Sequence, residues 1–115
     1  PAALKPLEGQ DRIETTTDLR AALDDPEVRL ACVTSSNASH KPLVLAAIEA
    51  GKAVFCEKPI ATTYADAREM VEAAEARGAF FQVGFECRYS RFYEIVKEWI
   101  DAGPRRKGMT CSGTT

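Results

Sequence analysis

The sequence predicts an α/β protein built on a doubly wound parallel sheet. Three observations carry that prediction. Strand-like and helix-like runs alternate along the chain, which favours parallel strands joined by right-handed helical crossovers. The strand-like runs are residues 28–34 (VRLACVT), 53–56 (AVFC) and 80–85 (FFQVGF), short and almost wholly apolar, as strands covered on both faces are. The runs between them repeat apolar residues at helical spacing and stop at Gly51, Gly78 and Gly103.

Taken in order, residues 1–10 carry little pattern and read as loop, and residues 12–15 read as a short strand. Thr17 is placed to cap a helix over residues 18–23, because its hydroxyl can accept an orphan backbone N–H. Asp24-Asp25-Pro26 ends that helix, since proline disfavours helical geometry in the residue before it. The strand over 28–34 is followed by a helix expected over 41–50, with Leu43, Ala46, Ala47 and Ala50 as its apolar stripe. The strand over 53–56 leads to Thr63 and Asp66, which resemble a capping box with Asp in the Glu position. The helix they open runs to about Arg77, with Ala67, Met70, Val71 and Ala74 on one face. The strand over 80–85 is followed by an amphipathic helix over 91–102, with Phe92, Ile95, Val96 and Trp99 as its stripe. The tail to Thr115 reads as the beginning of another strand.

Composition narrows the class of function. The chain has 115 residues, enough for one modest core, with 45% hydrophobic and 28% charged residues. Its net charge of -2 and pI near 5.5 give no reason to expect a nucleic-acid partner. Arg105-Arg106-Lys107 reads as a solvated turn. No apolar run is long enough to span a bilayer and no signal peptide is read, so no membrane partner is expected. Cys32, Cys56, Cys87 and Cys111 form no C-x-x-C pair and read as reduced thiols of a cytoplasmic protein. His40 is the only histidine, so no multi-histidine metal site is expected.

In a doubly wound sheet, ligands bind beyond the carboxyl ends of the strands. The first strand ends in Thr34-Ser35-Ser36-Asn37-Ala38-Ser39-His40, which offers hydroxyls, an amide, an imidazole and a helix N-terminus to a polar ligand. Equally, Ser39 caps the helix and Asn37 stabilises a turn. The second strand ends in Glu57-Lys58-Pro59. Lys58 brings an amine able to exchange a proton near a reacting hydroxyl, while Glu57 either holds it or contacts the ligand. The alternative is a solvent-exposed ion pair. The third strand ends in Gly84-Phe85-Glu86-Cys87-Arg88-Tyr89. Either Arg88 reaches over the crevice, or Phe85 and Tyr89 pack in the core and Arg88 lies on the surface.

The run from His40 to Pro59, with its Ala-rich helix, Ala50-Gly51-Lys52-Ala53-Val54 and Glu57-Lys58-Pro59, closely resembles the signature of the Gfo/Idh/MocA oxidoreductases. The likeness extends from about Thr17 to Gly103 and includes Val83-Gly84-Phe85-Glu86-Cys87-Arg88, similar to the family's V-G-F-x-x-R. It implies an incomplete Rossmann-like domain over residues 1–88, and over 89–115 a crossover helix and the start of an α/β substrate domain. It implies hydride transfer between NAD or NADP and a hydroxyl or carbonyl carbon of a sugar, inositol or related polyol. Lys58 matches the catalytic lysine. Ser35, Ser36, Asn37, His40, Glu57, Lys58, Pro59 and Arg88 match cofactor-side positions, and no metal is implied. A cis Lys58–Pro59 peptide is expected from related E-K-P enzymes. The full-length protein is expected to be a cytoplasmic homo-oligomer.

The chain departs from the family pattern at Ser36 and Arg91, where prolines are usual. No G-x-G-x-x-G occurs in it, so the pyrophosphate loop is expected upstream of Pro1. The family's Asp and His of the substrate domain are expected downstream of Thr115. Two other readings stay open: a non-catalytic regulator of the same family that binds dinucleotide or sugar, and an inactive remnant. The intact Glu57-Lys58-Pro59 favours the enzyme, and the flanking sequence would separate the three.

Overall fold

The computed structural model describes residues 13–103. It divides into two compact units with the boundary between Gly84 and Phe85. The first holds helix α1 (Leu19–Asp24), strand β1 (Leu30–Val33), helix α2 (Asn37–Glu49), strand β2 (Ala53–Glu57), helix α3 (Tyr64–Arg77) and strand β3 (Phe81–Gly84). The three strands form one sheet in the order β1-β2-β3, and both pairings are parallel. The predicted order and direction of the three strands are therefore what the structure shows. The predicted strand over 12–15 is not seen: residues 13–16 form no strand, Ile13 is 42% exposed, and Arg12 lies outside the described residues, as does the tail read as a further strand.

Local chemistry moves some boundaries. Asp18, not Thr17, caps α1, because its carboxylate accepts from the backbone N–H groups of Arg20 (2.9 Å) and Ala21 (3.3 Å). β1 starts two residues later than predicted, since the Val28 N–H is bonded to the Asp25 carbonyl in a turn. Its two ends are not both covered: Leu30 is 49% exposed while Val33 is buried. Helix α2 begins at Asn37, one turn before the predicted start, and carries Pro42 inside it. Its buried residues are His40, Val44, Ala47 and Ile48, a stripe rotated from the one expected at Leu43, Ala46, Ala47 and Ala50. Gly51 follows at φ 72°, a left-handed conformation that glycine adopts without strain.

Helix α3 starts as predicted at the Thr63 cap, whose hydroxyl accepts the Asp66 N–H at 3.1 Å. The Asp66 side chain does not complete the box at the backbone. Its Oδ2 accepts the Thr63 hydroxyl at 2.7 Å and its Oδ1 accepts Lys41 Nζ at 2.7 Å. Lys41 also pairs with Glu69 at 2.6 Å, so one ammonium on α2 ties down two carboxylates on α3. Hydrogen bonding from Lys41, then from Thr63, holds the Asp66 carboxyl below its usual range. Asp66 and then Glu69 raise Lys41 in turn.

The core is formed by Leu23, Val33, Val44, Ala47, Ile48, Val54, Cys56, Met70 and Ala74. Val44, Val54 and Met70 have no exposed surface, and each such buried side chain contributes about 1.5–3 kcal/mol. Lys52 is nearly buried, and its ammonium donates to the Asp25 carbonyl at 2.8 Å.

The second unit holds a 3-10 turn (Glu86–Tyr89) and helix α4 (Arg91–Asp101). α4 carries i,i+3 and i,i+4 ion pairs, Arg91–Glu94 and Lys97–Asp101. Of its predicted apolar stripe, Ile95 and Val96 are half-buried, while Phe92 is 66% and Trp99 75% exposed. Among the described residues no helix is long and apolar enough to cross a membrane.

Candidate functional site

Val33, the last residue of β1, pairs with Cys56 of β2, and Glu57, the last of β2, pairs with Gly84 of β3. Because the strands are parallel and in register, all three end along one edge of the sheet. The loops after β1 and β2 therefore emerge side by side, each leading into a helix.

The first loop places Ser35, Ser36 and Asn37 in solvent at the start of α2. The Ser36 hydroxyl makes no cap bond to the helix backbone. Ser39 organises the turn: its Oγ donates to the Ser36 carbonyl at 2.7 Å and lies 2.8 Å from Ser35 Oγ and 3.0 Å from Ser36 Oγ. Asn37, at the first helical position, has no side-chain hydrogen bond among the described residues. His40, one turn on, is 1% exposed. Its Nδ1 lies 2.9 Å from the Pro59 carbonyl oxygen and its Nε2 3.2 Å from the Ser35 carbonyl oxygen.

The second loop begins at the half-buried Glu57. Its Oε2 accepts the backbone N–H of Lys58 at 3.1 Å. The Lys58–Pro59 peptide is cis, as expected. The Lys58 side chain is exposed, and its ammonium has no hydrogen-bond or ion-pair partner among the described residues. The surface ion pair between Glu57 and Lys58 that the sequence left open is thus not formed; the carboxylate accepts the Lys58 backbone N–H. Beneath this loop Cys56 is fully buried; burial pushes its thiol up, and the neighbouring Glu57 charge adds to the effect.

Gly84 closes the edge on the other side of β2. A Cβ at this position would lie 3.0 Å from Phe55 Cζ and 3.3 Å from Glu57 Oε1. Glycine there leaves room for the carboxylate that holds Lys58. A glycine at the end of the third strand permits close backbone approach, and the groups that approach are the Phe55 ring and the Glu57 carboxylate. That His40 reaches both strand-end loops was not foreseen, although a lone histidine inside an apolar helix face was the available signal.

Seven of the predicted site residues, Ser35, Ser36, Asn37, His40, Glu57, Lys58 and Pro59, thus gather at the ends of β1 and β2. Arg88 lies in the second unit, exposed within the 3-10 turn. There Phe85 is 50% and Tyr89 68% exposed, so neither packs as a core residue of that unit.

The model of an oxidoreductase family with an NAD-binding Rossmann fold, GFO_IDH_MocA, matches residues 1–85. The chain belongs to the Gfo/Idh/MocA oxidoreductases. Among curated Gfo/Idh/MocA relatives, inositol 2-dehydrogenase of Pseudomonas fluorescens is 47% identical over 91 residues, covering 78% of this chain and 27% of that enzyme. Inositol 2-dehydrogenase 3 of Saccharopolyspora erythraea is 54% identical over 78 residues, covering 67% and 23%. The chain therefore spans about a quarter of the length of these relatives. Among solved structures, an NAD binding oxidoreductase from Klebsiella pneumoniae superposes with a TM-score of 0.71 at 36% identity, covering 77% of this chain and 24% of that one. The three parallel strands and their helices are accordingly part of a Gfo/Idh/MocA Rossmann fold, an NAD-binding one.

Proposed function

We propose that this chain is part of an NAD- or NADP-dependent dehydrogenase acting on a hydroxyl or carbonyl carbon of a sugar, inositol or related polyol, with Lys58 as the catalytic residue. The observation that carries the reading is the state of Lys58. It stands at the end of the central strand, exposed, with its ammonium unengaged among the described residues and its backbone held by Glu57. An amine so placed is available to a substrate oxygen.

The donor set at the strand ends fits a nicotinamide dinucleotide. Ser35, Ser36 and Asn37 offer exposed hydroxyls and an amide, and α2 presents its N-terminus to the same side. Pro59 and Glu57 flank the lysine. For Arg88 the support is the V-G-F-x-x-R motif alone. Bound NAD or NADP supplies the hydride acceptor for oxidation and the donor for reduction. Lys58 hydrogen-bonds the reacting oxygen, takes up or returns the hydroxyl proton, and stabilises negative charge developing there. The partition into a Rossmann part over 1–88 and the start of a substrate domain over 89–115 is supported by the structural boundary after Gly84. A cytoplasmic homo-oligomer completes the proposal, and the unpaired Cys32, Cys56 and Cys87 suit a reducing compartment.

The test is steady-state kinetics on a full-length protein carrying this segment, with inositol assayed first because the curated relatives are named for it. Lys58→Met is expected to lower kcat by about 10²–10⁴-fold with little change in the KM for the dinucleotide. Lys58→Arg is expected not to rescue, since a guanidinium does not readily lose a proton. A kcat for Lys58→Met within a few-fold of the parent would remove Lys58 from catalysis.

A further inference from the structure

His40 is the chain's only histidine, and it is buried against two backbone carbonyls that belong to different strand-end loops. Carbonyl oxygens only accept, so a hydrogen bond to either needs an N–H on the ring. A neutral imidazole has one; carried on Nδ1 it would face the Pro59 carbonyl across the shorter of the two contacts, 2.9 Å against 3.2 Å. Pro59 has no N–H of its own, so its carbonyl is the only backbone hydrogen-bonding group by which this residue can be anchored. Lys58 is then bracketed. On one side its N–H is held by Glu57, whose place is set by pairing with Gly84. On the other, the next residue is held by a rigid ring that belongs to α2 and is packed in the core.

We propose that His40 is a positioning residue: its Nδ1–H holds the Pro59 carbonyl and so fixes where Lys58 presents its amine, without itself touching the reactants. The inference rests on the reading of Lys58 as the catalytic amine. It gives a polar side chain at a fully buried position a reason that filling space does not supply, since an aliphatic residue fills space without needing partners. Its effect on rate follows from geometry. Displacing a reacting group by about 1 Å costs on the order of 10²-fold even when the altered residue is remote from the chemistry.

The experiment compares His40→Leu, His40→Asn and His40→Gln with Lys58→Met in a full-length protein, reading kcat, both KM values and thermal unfolding. The Asn amide nitrogen occupies roughly the place of Nδ1, and the Gln amide nitrogen that of Nε2. His40→Leu is expected to lower kcat by about 10²-fold, with the dinucleotide KM changed less than a few-fold. His40→Asn is expected to restore most of that kcat, and His40→Gln is not. If His40→Leu does not fold, the Asn and Gln variants decide between themselves. Equal kcat for Asn and Gln overturns the proposal, as does parental kcat in the Leu variant. A dinucleotide KM that rises more than kcat falls also overturns it, because it makes His40 a cofactor contact. If Lys58→Met itself keeps parental kcat, the underlying reading of Lys58 fails. If Lys58→Met is inactive while the His40 variants are unaffected, only the positioning role fails.

Discussion

Gly84 and Cys56 border the Lys58 loop from below, and each makes a separate test possible. A methyl group at Gly84 meets Phe55 and Glu57 at 3.0 and 3.3 Å, closer than ordinary contact. Gly84→Ala is expected to cost about 1–3 kcal/mol through overpacking, read as a shift in the urea midpoint. The same push displaces the carboxylate that binds the Lys58 N–H, so activity is expected to fall further than stability alone accounts for. Cys56 has no exposed surface, and its thiol is pushed up by burial and by the Glu57 charge, which keeps the reactive thiolate scarce. Iodoacetamide is expected to leave Cys56 unmodified in the native protein and to label it once denaturant is added, with the modified peptide identified by mass. Labelling of Cys56 at the native rate of an exposed thiol would mean that β2 is not buried in the core as described.

At the scale of elements, the Lys41–Asp66–Glu69 cluster joins α2 to α3 and sets a pH dependence. Asp66 is depressed in the folded state, so its contribution is in place above the unfolded carboxyl value of about 3.9 and is lost as pH falls through the lower folded value. Lys41 is raised, so its share is present below about 10.4 and is lost only as pH rises through the folded value. Asp66→Asn is therefore expected to be less stable than the parent at neutral pH. The difference should shrink as both are acidified, as measured by denaturant midpoints at a series of pH values. The elements themselves were largely legible. Apolar runs located all three strands, and Gly51 and Gly78 marked two helix ends. What could not be read was set by partners distant in sequence. The stripe of α2 turned on where the helix begins: the apolar spacing placed its start at Lys41, although the chain is already helical at Asn37. Asp66 looked like half of a capping box because Lys41, twenty-five residues away, does not appear in the local pattern. At the site, Glu57-Lys58-Pro59 was legible as a motif. That Glu57 binds the Lys58 backbone and not its ammonium depends on three-dimensional placement.

For the whole molecule, two facts bear on what the chain can do by itself. It has no G-x-G-x-x-G to cradle a pyrophosphate, and it spans 27% of the inositol 2-dehydrogenase it resembles. The 115-residue chain by itself is expected not to turn over a polyol with NAD or NADP, as followed by nicotinamide absorbance. Robust turnover would show that the strand-end residues suffice without that loop. The chain also carries its own optical probe. Trp99 is the only tryptophan, and three-quarters of its surface is open to solvent on the apolar stripe of α4. In the 115-residue chain its emission is therefore expected to be red-shifted and readily quenched by iodide. In a longer protein that covers this stripe, the same indole should shift to the blue and escape the quencher. One fluorophore thus reports, without any label, whether the helix after the sheet has found its cover.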